Sequence, residues 1–227
     1  MNRLADLEVV AFDLDNTLYD EGLYYEAAFE GIAPWLAGRS GRDTESVRTR
    51  LRAILRDKGK HYHYLFSDIL AEVGLDPKDD LPAVLDLFHD VTRPLAPFPG
   101  VPALLGDLGK RYRLGLITAG QRRFQQRKLD LLGLAPFFEE VVFSSTLPES
   151  KPSPMPFRHL LERMGGVAPE RAVYIGDNPL FDFRGSRAIG MRTVRVHNPE
   201  LDSLTTAPAD DAEIHVECVG DVRALLL

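Results

Sequence analysis

Cysteine is nearly absent. Cys218 is the only one in 227 residues, which excludes a disulfide framework and any zinc site built from several thiolates, and suggests a reducing, cytoplasmic compartment. Lysine is scarce too, with 6 against 21 arginines, and the 27 basic residues are outnumbered by 34 acidic ones for a formal net charge of −7. A chain with no concentrated basic face is poorly suited to displacing phosphate counterions, so a nucleic-acid polymer is not an expected partner. The densest basic stretch, residues 48–60, carries Leu51, Ile54 and Leu55 at helical spacing and reads as the solvated side of a helix. No apolar run approaches the ~18 residues of a membrane span, and residues 1–7 have no stretch of signal-peptide type, so no membrane association is expected. Repeats and low-complexity tracts are missing as well.

What is present is an ordinary globular composition, 44% apolar and 27% charged, enough for one large domain or a domain with an insert. Short β-branched runs alternate with longer amphipathic ones. Strands are expected at residues 9–13, 114–118, 141–144, 172–176, 193–196 and 214–217, with helices at 101–110, 122–132, 155–164, 182–189 and 222–226. That order predicts an α/β fold, a doubly wound parallel sheet. Residues 18–98 break the rhythm. They hold four helical patterns (23–36, 44–56, 62–73, 81–88) and no convincing strand, which predicts a helical cap inserted into a core of residues 1–17 and 99–227. The polar stretch 198–213 reads as a surface connection without chemistry.

Four segments carry candidate chemistry. The first strand runs into Asp13-Leu14-Asp15-Asn16-Thr17, and residues two apart on a strand point the same way, so Asp13 and Asp15 both project at the carboxyl edge where open α/β sheets bind ligands. Hard cations such as Mg2+ are held by such carboxylates together with substrate phosphate, although the pair alone equally suits a capped turn. The run ending in Thr118-Ala119-Gly120 can offer a hydroxyl and backbone N–H groups to an anion. Lys151, between Ser150 and Pro152, puts one cation on a loop. Ile175-Gly176-Asp177, followed by Asp182, repeats the strand-then-acid theme.

In this order the four segments resemble the motifs of the haloacid dehalogenase superfamily of phosphohydrolases, over essentially the whole core, and the insert corresponds to the family's helical cap of the first type. The resemblance implies a Rossmann-like core and a mechanism. Asp13 would be the nucleophile that forms an aspartyl-phosphate, and Asp15 the acid and base, its proton affinity expected to be raised by Asp13. Thr118, Ala119 and Lys151 would bind the phosphoryl group. Mg2+ would be held by Asp13, the carbonyl of Asp15, Asp177 and Asp182, with Asn16 and Thr17 lining the turn. An acid at position 15 favours phosphate transfer over dehalogenation, since a halide leaves without a proton. The strings after Asp15 and Asp177 are similar to nucleotidase-like and acylneuraminate-phosphate phosphatase-like members.

The implied activity is hydrolysis of a small phosphomonoester, a nucleotide or sugar phosphate, by a monomer or homodimer. Phosphomutase transfer and a non-catalytic phosphate-binding protein are the alternatives. Candidate specificity residues are Tyr19, Tyr24, Tyr25, His61, Tyr62, His63 and Tyr64, where rings and hydrogen-bonding groups interleave as a base or sugar site requires; packing within a helical cap explains the same aromatics. Arg122 and Arg123 suit either a distal anionic group or the start of the next helix.

Overall fold

The computed structural model describes residues 4, 6–60, 62–204 and 206–227. Along the chain come β1 (Val9–Phe12), α1 (Gly22–Ser40), α2 (Thr44–Lys58), α3 (Leu65–Glu72), α4 (Pro77–His89), α5 (Val101–Leu108) and β2 (Arg113–Thr118). There follow α6 (Arg122–Leu132), β3 (Glu140–Phe143), α7 (Met155–Arg163), β4 (Ala172–Gly176), α8 (Phe183–Ala188), β5 (Arg192–Val196), β6 (Ile214–Val216) and α9 (Val222–Leu226). Two compact units result, one of Met1–Asp20 with Ala96–Leu227 and one of Glu21–Leu95.

The first unit is an α/β layer structure. Its sheet runs in the order β3-β2-β1-β4-β5-β6, and every neighbouring pair is parallel. Val9, Val10, Ala11 and Phe12 are fully buried, as a central strand covered on both faces demands. Val9 and Ala11 belong with Phe157, Leu160, Leu161 and Met164 of α7 to one apolar cluster. Gly115 makes this approach possible, because a methyl group there would stand 2.8 Å from a Leu160 methyl. From β1 the chain builds outward through β2 and β3, then returns to β4 on the other side. The topological switch point therefore lies between β1 and β4, where such sheets place their ligands.

The second unit is helical. Tyr24, Ala28, Phe29, Ile32, Ala33, Leu36 and Ala37 form the buried stripe of α1. The Asp43 and Asp76 side chains cap α2 and α4 by accepting from Ser46 N and Lys78 N. Pro77 occupies the first turn of α4, so this helix starts before the expected residue 81, whereas α3 begins at Leu65 and not at 62. The expected cap limits are also corrected: residues 18–20 and 96–98 belong to the core, where Phe98 N donates to Leu18 O at 2.9 Å.

Candidate active site

Polar side chains are buried at the carboxyl ends of four neighbouring strands: Asp13 after β1, Thr118 at the end of β2, Ser144 after β3 and Asp177 after β4. Phe12 pairs with both Leu116 and Ile175, and Asp13 N donates to Ile175 O at 2.8 Å, which locks the first acid at the switch point. Burying such groups is costly unless each finds a partner.

Lys151 supplies much of that partnering. Its Nζ donates to Asp13 Oδ1 at 2.5 Å, to Asp182 Oδ1 at 2.8 Å and to the Tyr174 hydroxyl at 3.1 Å. Asp182 Oδ2 accepts from Asn178 N at 2.9 Å, so the loop after β4 wraps around the acid; the missing side chain of Gly176 leaves room for that carboxylate. Asp177 Oδ2 accepts from Asn198 Nδ2 at 2.7 Å, and its Oδ1 lies 3.4 Å from the Thr17 hydroxyl. Carboxylate oxygens of Asp13, Asp177 and Asp182 come within 4.8 Å of one another.

The electrostatics follow from three buried acids sharing one cation. Burial, then Asp182, push the Asp177 carboxyl up to about 7. Burial raises Asp13 well above the carboxylate range, more than Lys151 lowers it, and Asp182 and Asp177 add to the rise. Burial alone would lower Lys151, but the Asp13 and Asp182 charges hold it well above its ordinary value. An all-oxygen donor set with surplus negative charge is what a hard divalent cation neutralises, so these residues fit Mg2+.

Asp15 faces a different environment. Its Oδ1 accepts from the Tyr19 hydroxyl at 2.6 Å and from Lys128 Nζ at 2.7 Å, and its Oδ2 from Gln125 Nε2 at 2.9 Å. The intervening turn is tight: Asn16 is left-handed at φ 57° and Leu18 N donates to Leu14 O. The expectation that Asp13 raises the proton affinity of Asp15 is corrected. Burial acts in that direction, but the Lys128 charge and the bonds from Lys128, Tyr19 and Gln125 outweigh it and lower the carboxyl below its ordinary value.

The haloacid dehalogenase-like hydrolase family profile matches residues 10–196. The chain belongs to the haloacid dehalogenase-like hydrolases. This hydrolase is 33% identical over 211 residues to a glyceraldehyde 3-phosphate phosphatase of Methanopyrus kandleri, covering 90% of each chain. It is 34% identical to the glyceraldehyde 3-phosphate phosphatase of Methanothermobacter thermautotrophicus, covering 96% and 98%, and to a phosphoserine phosphatase of Thermus thermophilus, covering 91% and 81%. Those relatives place it among the phosphoric monoester hydrolases. Among solved structures, a putative β-phosphoglucomutase of Thermotoga maritima has the same fold at a TM-score of 0.70, with 24% identity over 97% of this chain and all of that one.

The other candidate residues of the hydrolase are dispersed. Thr118 is fully buried with Ala119 next to it. Arg122 opens α6 with its guanidinium 5.6 Å from the Phe143 ring centre. Tyr24 lies in the core of the helical unit and its hydroxyl donates to Phe88 O at 2.7 Å. Tyr25 donates to Lys60 O, Tyr62 donates to Asp68, and the Tyr62 and Tyr64 rings meet edge to face. Tyr64 and His63 are exposed, and His61 lies outside the described residues.

Four site residues escaped the sequence reading. Asn198 corrects the expectation that residues 198–213 carry no chemistry, and nothing local marks it, since its partner is 21 residues earlier. Tyr174 hides inside an apolar strand. Gln125 and Lys128 did leave a signal: with Leu129 and Leu132 they form the buried stripe of α6, so two polar residues occupy positions that packing alone would fill with leucine.

Proposed function

We propose that the chain is a Mg2+-dependent phosphatase that hydrolyses a small sugar-phosphate-class phosphomonoester, with glyceraldehyde 3-phosphate the first candidate, through an aspartyl-phosphate on Asp13. The observation that carries this reading is the convergence of Asp13, Lys151, Asp177 and Asp182 at the switch point of a chain whose relatives are named phosphatases over most of their length. Their names favour water over a second sugar hydroxyl as acceptor. The lone cysteine supports a cytoplasmic setting.

Asp13, Asp177, Asp182 and the Asp15 carbonyl would hold the cation. When bound, it offsets negative charge on the carboxylates and on the substrate phosphate. The Asp13 carboxylate forms a bond to phosphorus as the bond to the leaving oxygen breaks, and Asp15, which must hold a proton at this step against the lowering by Lys128, gives it to that oxygen. Water then attacks the acyl phosphate, Asp15 takes the water's proton, and inorganic phosphate and free Asp13 result. Lys151 balances charge on the transferring group, and the Thr118 hydroxyl donates to one of its oxygens.

The test is phosphate release from glyceraldehyde 3-phosphate, phosphoserine, phosphoglycolate and a nucleoside monophosphate, in Mg2+ or in EDTA. Release that needs Mg2+ and disappears in Asp13→Asn supports the reading, and the substrate ranking decides between the triose and nucleotide branches. Equal release by Asp13→Asn would sink it.

A further inference from the structure

We propose that Gln125 and Lys128 of α6 are positioning residues that, together with Tyr19, clamp the Asp15 carboxylate for proton transfer to the leaving oxygen. The proposal rests on the phosphatase reading above.

Three donors converge on one carboxylate from two distant parts of the chain, the turn after β1 and the helix after β2. Both oxygens are engaged, so the carboxylate is restrained in rotation as well as in place. Lys128 is fully buried and Gln125 is 3% exposed. They stand three residues apart, on the same side of one helical turn. A buried ion pair seldom out-stabilises well-packed apolar side chains of similar volume, so stability gives no reason to prefer this pair to leucine or methionine. A demand for fixed orientation does.

Two details separate this cluster from general packing. Gln125 Nε2 also donates to Ala119 O, so one amide joins the Asp15 carboxylate to the loop that follows Thr118. Among the described residues nothing donates to the buried Gln125 Oε1, so the hydrogen bonds of this side chain are those of its amide nitrogen. The clamp also needs Gly120, whose φ of +103° is left-handed and whose added Cβ would stand 2.9 Å from Gln125 Nε2. Carboxylate, amide and ammonium thus form one small device beside the nucleophile, built from a helix that carries none of the four motif residues.

In kcat/KM, which reports the steps up to departure of the leaving group and not the later attack of water, a residue that acts through Asp15 matters only where that group needs a proton. The experiment compares kcat/KM for glyceraldehyde 3-phosphate, whose alkoxide must be protonated, with that for p-nitrophenyl phosphate, whose phenolate leaves without a proton. Wild type, Lys128→Met, Gln125→Met and Asp15→Asn are assayed, with unfolding midpoints measured alongside. Lys128→Met is expected to lose about 100-fold on the alkyl ester and about 3-fold or less on the aryl ester, and Gln125→Met to lose less in the same direction. Asp15→Asn should show the same selectivity. If Lys128→Met does not fold, Gln125→Met, which removes no charge, carries the test by itself. Equal losses on both esters, or no loss, would overturn the clamp while leaving the phosphatase reading intact. A wild type that releases phosphate from neither ester overturns both.

Discussion

Asn198 Nδ2 donates to Asp177 Oδ2 at 2.7 Å, joining the segment after β5 to the acid that follows β4. Both side chains are buried, and the bond leaves the Asp177 carboxylate one settled orientation. Partners of this kind around a metal ligand are typically worth about 10- to 100-fold in metal affinity. Asn198→Ala is therefore expected to raise the Mg2+ concentration needed for half-maximal activity about 10-fold while kcat at saturating Mg2+ changes little. A Mg2+ titration of both proteins checks this, and superimposable curves would remove Asn198 from the site.

Asp177, whose carboxyl is pushed up to about 7, and Asp13, which is raised as well, both contribute to the pH dependence of the metal-free protein. Between about pH 4 and 7 the folded protein keeps a proton on Asp177 that the unfolded chain has already lost, so its contribution to stability falls as pH rises through that window. Divalent cation reverses the effect by binding the ionised form. The rise in Tm on adding Mg2+ to EDTA-treated protein should thus be larger at about pH 7.5 than at about pH 5.5. An equal rise at both would mean that Asp177 does not ligate the cation.

Gly185 at the start of α8 lies against the Lys151 loop. A Cβ there would stand 2.5 Å from Pro152 O and 2.6 Å from Ser153 O, and backbone cannot step aside as a flexible side chain does. Gly185→Ala is expected to cost about 1 to 3 kcal/mol of stability and to lower kcat by displacing Lys151. Denaturant unfolding together with an activity assay measures both, and an unaffected kcat would show that the loop moves without taking the lysine along.

Tyr174 sits beneath Lys151. Its hydroxyl lies 3.1 Å from Lys151 Nζ and 3.2 Å from both Ile117 O and Asp182 Oδ1, while its ring packs edge to face on Phe157 at 4.9 Å. Tyr174→Phe keeps the ring and removes the hydroxyl, at an expected cost of about 1 to 3 kcal/mol. Lys151, still paired with Asp13 and Asp182 but less firmly placed, should bind inorganic phosphate less tightly, which product-inhibition measurements would reveal. Unchanged inhibition would limit Tyr174 to a packing role.

In the helical unit, Tyr24→Phe keeps the ring and removes the bond to Phe88 O. A loss of about 1 kcal/mol, or about 2–4 °C in Tm for a chain of this length, is expected with the substrate ranking unaltered. A changed ranking would return Tyr24 to the substrate contacts.

Local pattern made much of this hydrolase readable. The central strands β1 and β4 are short, largely apolar runs because the middle of a parallel sheet is buried on both faces, and the acids stand out because Asp13 and Asp177 follow directly on those runs. The small boundary errors arise where local signals compete, as at Pro77, which starts α4 earlier than the apolar periodicity suggests.

The partners of those acids are another matter. Spacing along β1 put Asp13 and Asp15 side by side and implied mutual repulsion. In the folded protein Asp13 shares Lys151 with Asp182, whereas Asp15 turns to Lys128, 113 residues away in sequence. Which cation each carboxylate meets, and hence which way its proton affinity moves, depends on side-chain directions set by the docking of α6 and of the Lys151 loop. Sequence alone determined the parallel sheet and the family, since both follow from periodicity and from residues close to each strand end. Only the tertiary structure decided the roles of Gln125, Lys128, Tyr174 and Asn198, because electrostatic interactions act through space at a few ångströms and local sequence does not encode those distances.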